Sequence, residues 1–307
     1  MKEFLLFGKD FKRVDQWQKG CWIKVTQPND DELDYLRELG VPESFISDIS
    51  DADERPRTEN DGDWLLTVLR VPRPSQDDDI PYTTVPVGVI TNNDIVAVLC
   101  YYENEVIDDF IQYNGMRNRE VPNRVVLIMR LILSSAVWFL KYLKVMNVDI
   151  NNAEDGLERS IRNEDLLKLR NMQKSLVYFN TSIRGNESLL LRLRTRFQNT
   201  GLIDNDLIED VDIELQQALN TVKVYTDILT GTMDAFASII SNNLNVIMKR
   251  MTSISIILML PTFIASLYGM NVALPVETAS WAFAFILVLC VVLSAGAFFL
   301  FKRIKWF

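Results

Sequence analysis

The sequence predicts an α+β domain followed by long helices and two C-terminal transmembrane helices, and three observations predict it. Strand-like and helix-like segments alternate through residue 121, and from Pro122 onward the pattern is helical. The apolar residues, 48% of the chain, are concentrated at the C-terminus. From Met251 to Phe301 one residue, Glu277, is formally charged, whereas the preceding residues carry most of the acidic excess that leaves the 307-residue chain at −9. Two windows there, Met251 to Tyr268 and Trp281 to Phe301, approach the ~20 residues that cross a ~30 Å hydrocarbon core as helix.

Taken in order, the opening "MKEFLLFGKDFKR" has an apolar run too short for a signal-peptide core, so export is not expected. Strands are predicted at Cys21 to Val25, Trp64 to Val71, Thr83 to Thr91 and Asp94 to Cys100, with a turn at "NND". Helices are predicted at Asp30 to Leu39, Glu43 to Ile49 and Glu103 to Tyr113, each bounded by Gly, Pro or Asx residues. Residues 1–121 thus read as a cytoplasmic α/β domain and residues 122–203 as a helical pair, Pro122 to Ile161 and Asn163 to Phe197, ending in the break "QNTGLIDND". Residues 204–271 read as one stalk helix that becomes the first span at about 251–270, capped by Asp204 or Asn205. Residues 272–280 form an external loop, 281–301 the second span and 302–307 a basic tail. Lys249 and Arg250 precede the first span, Lys302, Arg303 and Lys305 follow the second, and the loop has no cation, which places both termini in the cytoplasm.

The stalk carries a repeat. Asn245, Met248, Thr252, Ser255, Met259, Thr262, Ser266 and Gly269 alternate at intervals of three and four, the period of a left-handed helix bundle seam. Its residues are hydroxyls, an amide, thioethers and glycine, while Ile254, Ile256, Ile257, Leu258, Leu260, Phe263, Ile264 and Leu267 fall off it. Small polar residues in a membrane helix ordinarily allow close packing. Eight seam positions without one aliphatic argue instead for a water-lined pathway. Two spans cannot enclose a pore, so several copies must surround an axis. Asn271 then makes a ring of amide oxygens at the outer mouth, beside Gly269 and Met270, with Glu277 raising the local cation concentration. The chain has no histidine and three scattered cysteines, which leaves oxygen ligands and hard ions such as magnesium. Magnesium dehydrates reluctantly, so the ring suits a hydrated ion.

The stretch "SNNLNVIMKRMTSISIILMLPTFIASLYGMN", with Trp281 and the closing "KRIKWF", resembles the CorA family of magnesium transporters, in which Gly-Met-Asn ends the first of two C-terminal spans. The match is best from the long helix to Phe307 and weaker before it. The resemblance implies a funnel-shaped homopentameric channel in the cell inner membrane, with Gly269, Met270 and Asn271 as its filter. It implies that Asn245, Met248, Thr252, Met259 and Thr262 line the pore, to which the spacing adds Ser255 and Ser266. It also implies regulatory Mg2+ bound between cytoplasmic domains, at Asp48 in "ISDISDADERP" and Asp210 near the start of the stalk. The chain departs from the family at Ala273, where a second loop acid is common, and at "DINNAEDGLER", where the bend is commonly more acidic.

The function expected is passive, gated influx of hydrated Mg2+, for which an inward potential of 100 mV supplies ~4.6 kcal/mol per dication. No nucleotide motif is present, and no organic cofactor or nucleic-acid partner is expected. The rivals are transport of Co2+, Ni2+ or Zn2+ and, in another class, a membrane-anchored structural or signalling oligomer. An enzyme is not expected, since "DDD" at Asp77 to Asp79 and "DADE" at Asp51 to Glu54 read as solvated loops.

Overall fold

The computed structural model describes residues 1–9, 11–76, 79–117, 120–159, 163–198, 200–271 and 279–306. It divides into two compact units, Met1–Thr232 and Met233–Phe307.

The first unit is built on a seven-stranded sheet of order β2-β1-β3-β7-β6-β5-β4, antiparallel except where β3 (Cys21–Thr26) lies parallel to β7 (Val96–Cys100). The strands β3, β5 (Trp64–Pro74), β6 (Tyr82–Thr91) and β7 are apolar runs because both of their faces are covered. On one face α1 (Asp30–Glu38) and α2 (Glu43–Ser50) bury Leu36, Phe45, Ile46 and Ile49 against Ile23, Val25, Leu66, Val68, Ile90 and Leu99. On the other lie α3 (Glu105–Arg117), α4 (Arg124–Arg159) and α5 (Asn163–Phe197). Phe110 of α3 packs on Phe11, which meets Trp22 edge-on, and Phe139 of α4 meets Phe179 of α5. Asn29 opens α1 with a reciprocal capping box to Glu32.

Three strands lie outside the sequence prediction: β1 (Lys2–Leu6), β2 (Arg13–Val14) and β4 (Arg57–Asp61). All sit at or next to a sheet edge, and β4, "RTEND", has no apolar alternation to announce it. By length and composition α4 also qualifies as a membrane span, but 67% of its apolar window is buried inside the unit, against 6% for α6 (Asn205–Tyr268) and 0% for α7 (Ala282–Arg303). Burial separates the core helix α4 from α6, whose apolar window has the same mean hydropathy of 1.7.

A polar row on α5 fastens it to the sheet. The strand β5 outruns β4, whose last pairing is Arg57 with Val68, so the backbone of Arg70 lacks a neighbour on that side. Asn186 supplies one: its Oδ1 accepts from Arg70 N at 2.9 Å, and its Nδ2 donates to Arg70 O at 2.8 Å and to Ser135 Oγ at 3.3 Å. Ser175 serves Tyr82 in the same way, accepting from its N at 3.0 Å and donating to its O at 2.8 Å. Gly185 permits the approach, since a Cβ there would stand 2.6 Å from the Pro56 ring. The Arg70 side chain reaches Ala52 O, Glu54 O and Thr84 O and so pins the 52–54 loop. Burial lowers the pKa of its guanidinium, opposed by Asp53, Asp51 and Glu54.

Along the N-terminal part of α6, Ile208, Val211, Leu215, Ala218, Val222 and Leu229 are buried at the spacing of one helix face. Gln216 bonds Glu187 of α5, and Thr232 donates to Glu154 of α4 at 2.5 Å. The break that starts α6 holds Gly201 at φ +67°, a left-handed conformation favouring glycine.

Two outcomes follow for the first unit. Asn186→Leu leaves two buried backbone groups without partners, so chemical denaturation should show a loss of about 1–3 kcal/mol, more than Ser182→Ala, which removes only that hydroxyl's bond with Thr84 Oγ1 at 2.8 Å. Burial pushes the Cys100 thiol up to about 11 from an ordinary 9.0. The folded state therefore holds its proton more tightly; the contribution is intact below pH 9.0 and is lost as pH rises toward 11. Native Cys100 should also resist iodoacetamide at pH 8 and react once the chain is unfolded.

Candidate functional site

The second unit holds the C-terminal part of α6 and all of α7. Ser294 Oγ donates to Ile257 O at 3.4 Å, and Cys290 Sγ lies 4.0 Å from Pro261 O. These contacts fix an antiparallel register in which Lys249 stands level with Lys302, and Met270 with Trp281. Between those levels the pair rises about 32 Å at 1.5 Å per residue, the thickness of a ~30 Å hydrocarbon core. Cations mark one end and Trp281, packed edge-on against Phe285 at 5.6 Å, marks the other. The helix α7 ends with Lys305 at φ +56°, while Trp306 N bonds Phe301 O at 3.0 Å and its ring stacks on Phe301.

The helix α7 covers one face of α6. Ser253 is buried there, and Ile257, Leu260, Pro261, Ile264 and Tyr268 are half-buried. The seam lies elsewhere. Asn245, Met248, Thr252, Ser255, Met259, Thr262, Ser266 and Gly269 are all exposed, as are Met270 and Asn271. At 3.6 residues per turn their mean direction is about 160° around α6 from the face that meets α7. The seam methionines are well open, Met248 at 61% and Met259 at 68%.

The hydroxyls of the seam are oriented by their own helix. Thr252 donates to Met248 O at 2.8 Å, Ser255 to Met251 O at 2.9 Å and Thr262 to Leu258 O at 2.9 Å. With the proton so engaged, each oxygen turns its lone pairs outward as an acceptor. A row of acceptors on an uncharged face suits water molecules whose hydrogens point away from a cation.

At the far end Gly269 N bonds Ala265 O at 3.0 Å and Met270 N bonds Leu267 O at 3.3 Å, closing α6 just before Asn271. Gly269 was expected to serve an unusual backbone conformation or a close approach. It does not adopt positive φ, and a Cβ would meet Ala265 O at 3.4 Å, an ordinary contact. Among the described residues nothing requires glycine there. Glu277 lies outside the described residues.

The two acids assigned to regulation lie on different elements of the first unit. Asp48, on α2, is held by Arg57, whose Nη2 bonds its Oδ2 at 2.6 Å; the same guanidinium pairs with Glu54 and bonds Glu59 at 2.7 Å. Burial disfavours the Arg57 charge, but the bonds to Glu59 and Asp48 and the field of Glu54 outweigh it and raise its pKa. Asp210, on α6, is exposed and lines a cleft of about 310 Å3 with Asp109, Arg130, Ser134 and Glu214. Among the described residues no three His, Cys, Asp or Glu side chains gather to hold a metal ion. Arg57, Cys290 and Ser294 were absent from the sequence prediction: Arg57 meets Asp48 only through the start of β4, and the other two gain meaning only from the helix register.

Fold and seam together define a two-span membrane protein with an α/β body and a polar helix face uncovered in one chain. The family model for the CorA-like Mg2+ transporter protein matches residues 17–303, and the chain belongs to that family. It is 26% identical to the cobalt/magnesium transport protein CorA of Methanocaldococcus jannaschii, over 93% of this chain and 90% of that protein. It is 24% identical to the protein of the same name from Thermotoga maritima, over 93% and 83%. Its fold matches the complete structure of the CorA magnesium transporter from Methanocaldococcus jannaschii with a TM-score of 0.85 at 22% identity, covering 100% of this chain and 99% of that one. The family is one of magnesium and cobalt transporters with transmembrane helices.

The seam is checked by thiol labelling in liposomes, in a Cys290→Ser background. Met259→Cys and Thr262→Cys should react with a membrane-impermeant reagent, whereas Ile256→Cys and Leu267→Cys, on the flanks of α6, should not.

Proposed function

We propose that copies of this chain surround an axis, each turning the seam of α6 inward, and that hydrated Mg2+ passes passively through the resulting pore into the cytoplasm. The observation that carries this is the position of the seam: exposed along its whole length and on the side of α6 away from α7. In a lone subunit the part of that polar row within the span would face lipid, while Leu244 and Ile247, on the aqueous side of Lys249, would face water at 57% and 52% exposure. Neighbouring copies relieve both conditions, and the copy number proposed is five, as the resemblance to the family implies. Met248 and Met259 narrow the lumen as apolar rings, Thr252, Ser255, Thr262 and Ser266 accept hydrogen bonds from the ion's waters, and Gly269, Met270 and Asn271 form the filter. Glycine at 269 then answers to crowding between copies.

Residues 1–121 and 122–203 form the sensing body, 204–271 the stalk and first span, 272–280 the external loop with Glu277, 281–301 the second span and 302–307 the basic tail. Both termini lie in the cytoplasm beneath the cell inner membrane, the side marked by Lys249, Arg250, Lys302, Arg303 and Lys305. Closure comes from Mg2+ bound between cytoplasmic domains through Asp48 and Asp210, which neutralises facing acids and holds the subunits together. Asp48 reaches that ion by exchanging its bond with Arg57. The relatives are named for cobalt as well as magnesium, so Co2+ is the second cargo.

Uptake of Mg2+ by proteoliposomes tests the proposal. Asn271→Ala should lower uptake to the background of empty liposomes. Asp210→Lys should conduct but need more Mg2+ to close, by about tenfold. Co2+ should compete with Mg2+. Unchanged uptake in both variants sinks the pore and the sensor together, and Zn2+ flux that Mg2+ neither matches nor inhibits sinks the choice of cargo.

A further inference from the structure

Between Ala282 and Phe301, α7 carries only two side chains with a polar atom, Cys290 and Ser294, one turn apart. Both point at the backbone of α6 beside its proline. In an α-helix the carbonyl of residue 257 accepts from the N–H of residue 261. Pro261 has no N–H, and its ring crowds that same carbonyl. The deleted bond lies between two seam residues, Ser255 and Thr262, so the helix is weakest where the polar row must stay in line. In lipid an unpartnered carbonyl has no water to turn to.

Serine hydroxyls in helices ordinarily bond the carbonyl one turn back. Those of Ser253 and Ser255 do so, to Lys249 O and Met251 O. Ser294 instead reaches across to Ile257 O, the acceptor that Pro261 leaves vacant. We propose that Ser294 is a positioning residue: its hydroxyl replaces the hydrogen bond that Pro261 removes from α6, and this bond keeps the seam aligned across the proline. The residue touches no ion and acts only through α6. Cys290, whose Sγ lies 4.0 Å from Pro261 O, adds a weaker contact on the same turn.

The pairing has a consequence that packing alone lacks, because the value of Ser294 depends on residue 261 being proline. Full-length wild type, Ser294→Ala, Pro261→Ala and the double variant would be unfolded by SDS titration in mixed micelles and followed by circular dichroism. With Pro261 present, Ser294→Ala should shift the apparent unfolding constant about threefold, the average worth of a hydrogen bond between membrane helices. In the Pro261→Ala background, where a restored N–H serves Ile257, the same change should have no effect. Ser294→Thr should retain most of the wild-type value. An equal loss in both backgrounds, or no loss in the first, overturns the proposal.

The same proteins reconstituted for Mg2+ uptake should show slower flux on Ser294→Ala only where Pro261 is present; unchanged flux there overturns the positioning role. This second measurement rests on the conduction proposed above. Wild-type liposomes that take up nothing would refute conduction while the unfolding cycle still judges the bond.

Discussion

A peptide group removed from water must find a hydrogen-bond partner, and both units are organised around places where the regular ladder fails to provide one. In the first unit β5 and β6 extend past their neighbours, and α5 answers with side chains: Asn186 takes both backbone groups of Arg70, and Ser175 both of Tyr82. The strands β5 and β6 also limit the demand, since Pro72, Pro74 and Pro86 present no donors. In the second unit the ladder fails at Pro261, and α7 answers with Ser294. The constraint is harsher there, because hydrocarbon offers no substitute for a missing partner.

That rule explains what could be read from the sequence and what could not. The strands β3, β5, β6 and β7 were legible because burial of both faces makes them apolar runs, and α6 and α7 because hydrocarbon demands long uncharged stretches. The edge strands were not: β4 contributes polar residues whose place is set by pairing with Leu65, Leu66 and Thr67, an interaction between chain segments with no local signature. The seam was legible because its period is local. The link between Ser294 and Pro261 was not, because it requires knowing which turn of α7 faces which turn of α6. Asp48 illustrates the limit from the other side: its acid was visible in "ISDISDADERP", but its bond to Arg57 depends on where β4 begins.

The chemistry of the seam bears on what can pass along it. No residue from Met251 to Asn271 carries a formal charge, so this stretch offers a dication only neutral oxygens, which repay little of the cost of stripping the waters from an ion that dehydrates reluctantly. In the proposed pore a permeating ion keeps its waters, whose hydrogens point outward. Back-bonding of Thr252, Ser255 and Thr262 leaves their oxygens as acceptors in the matching sense. Hydroxyls free to rotate can turn either a proton or a lone pair outward, whereas these present lone pairs.

In the proposed closure the first unit meets the same ion by opposite means. Its carboxylates are charged, and at Asp48 they are already balanced by Arg57, which also holds Glu54 and Glu59. In the proposed closure a dication must therefore compete with a guanidinium for Asp48. It succeeds through its second charge and through whatever acid the adjoining subunit contributes. Neutral oxygens in the membrane let the ion move, since they hold it weakly. Paired acids in the body hold it firmly but only above a concentration that the Asp48 to Arg57 bond helps to set. The proposed conduction and sensing thus call on different ligands for one ion, and the two kinds lie in different units: uncharged acceptors along α6 within Met233–Phe307, and carboxylates with their own counter-ion within Met1–Thr232.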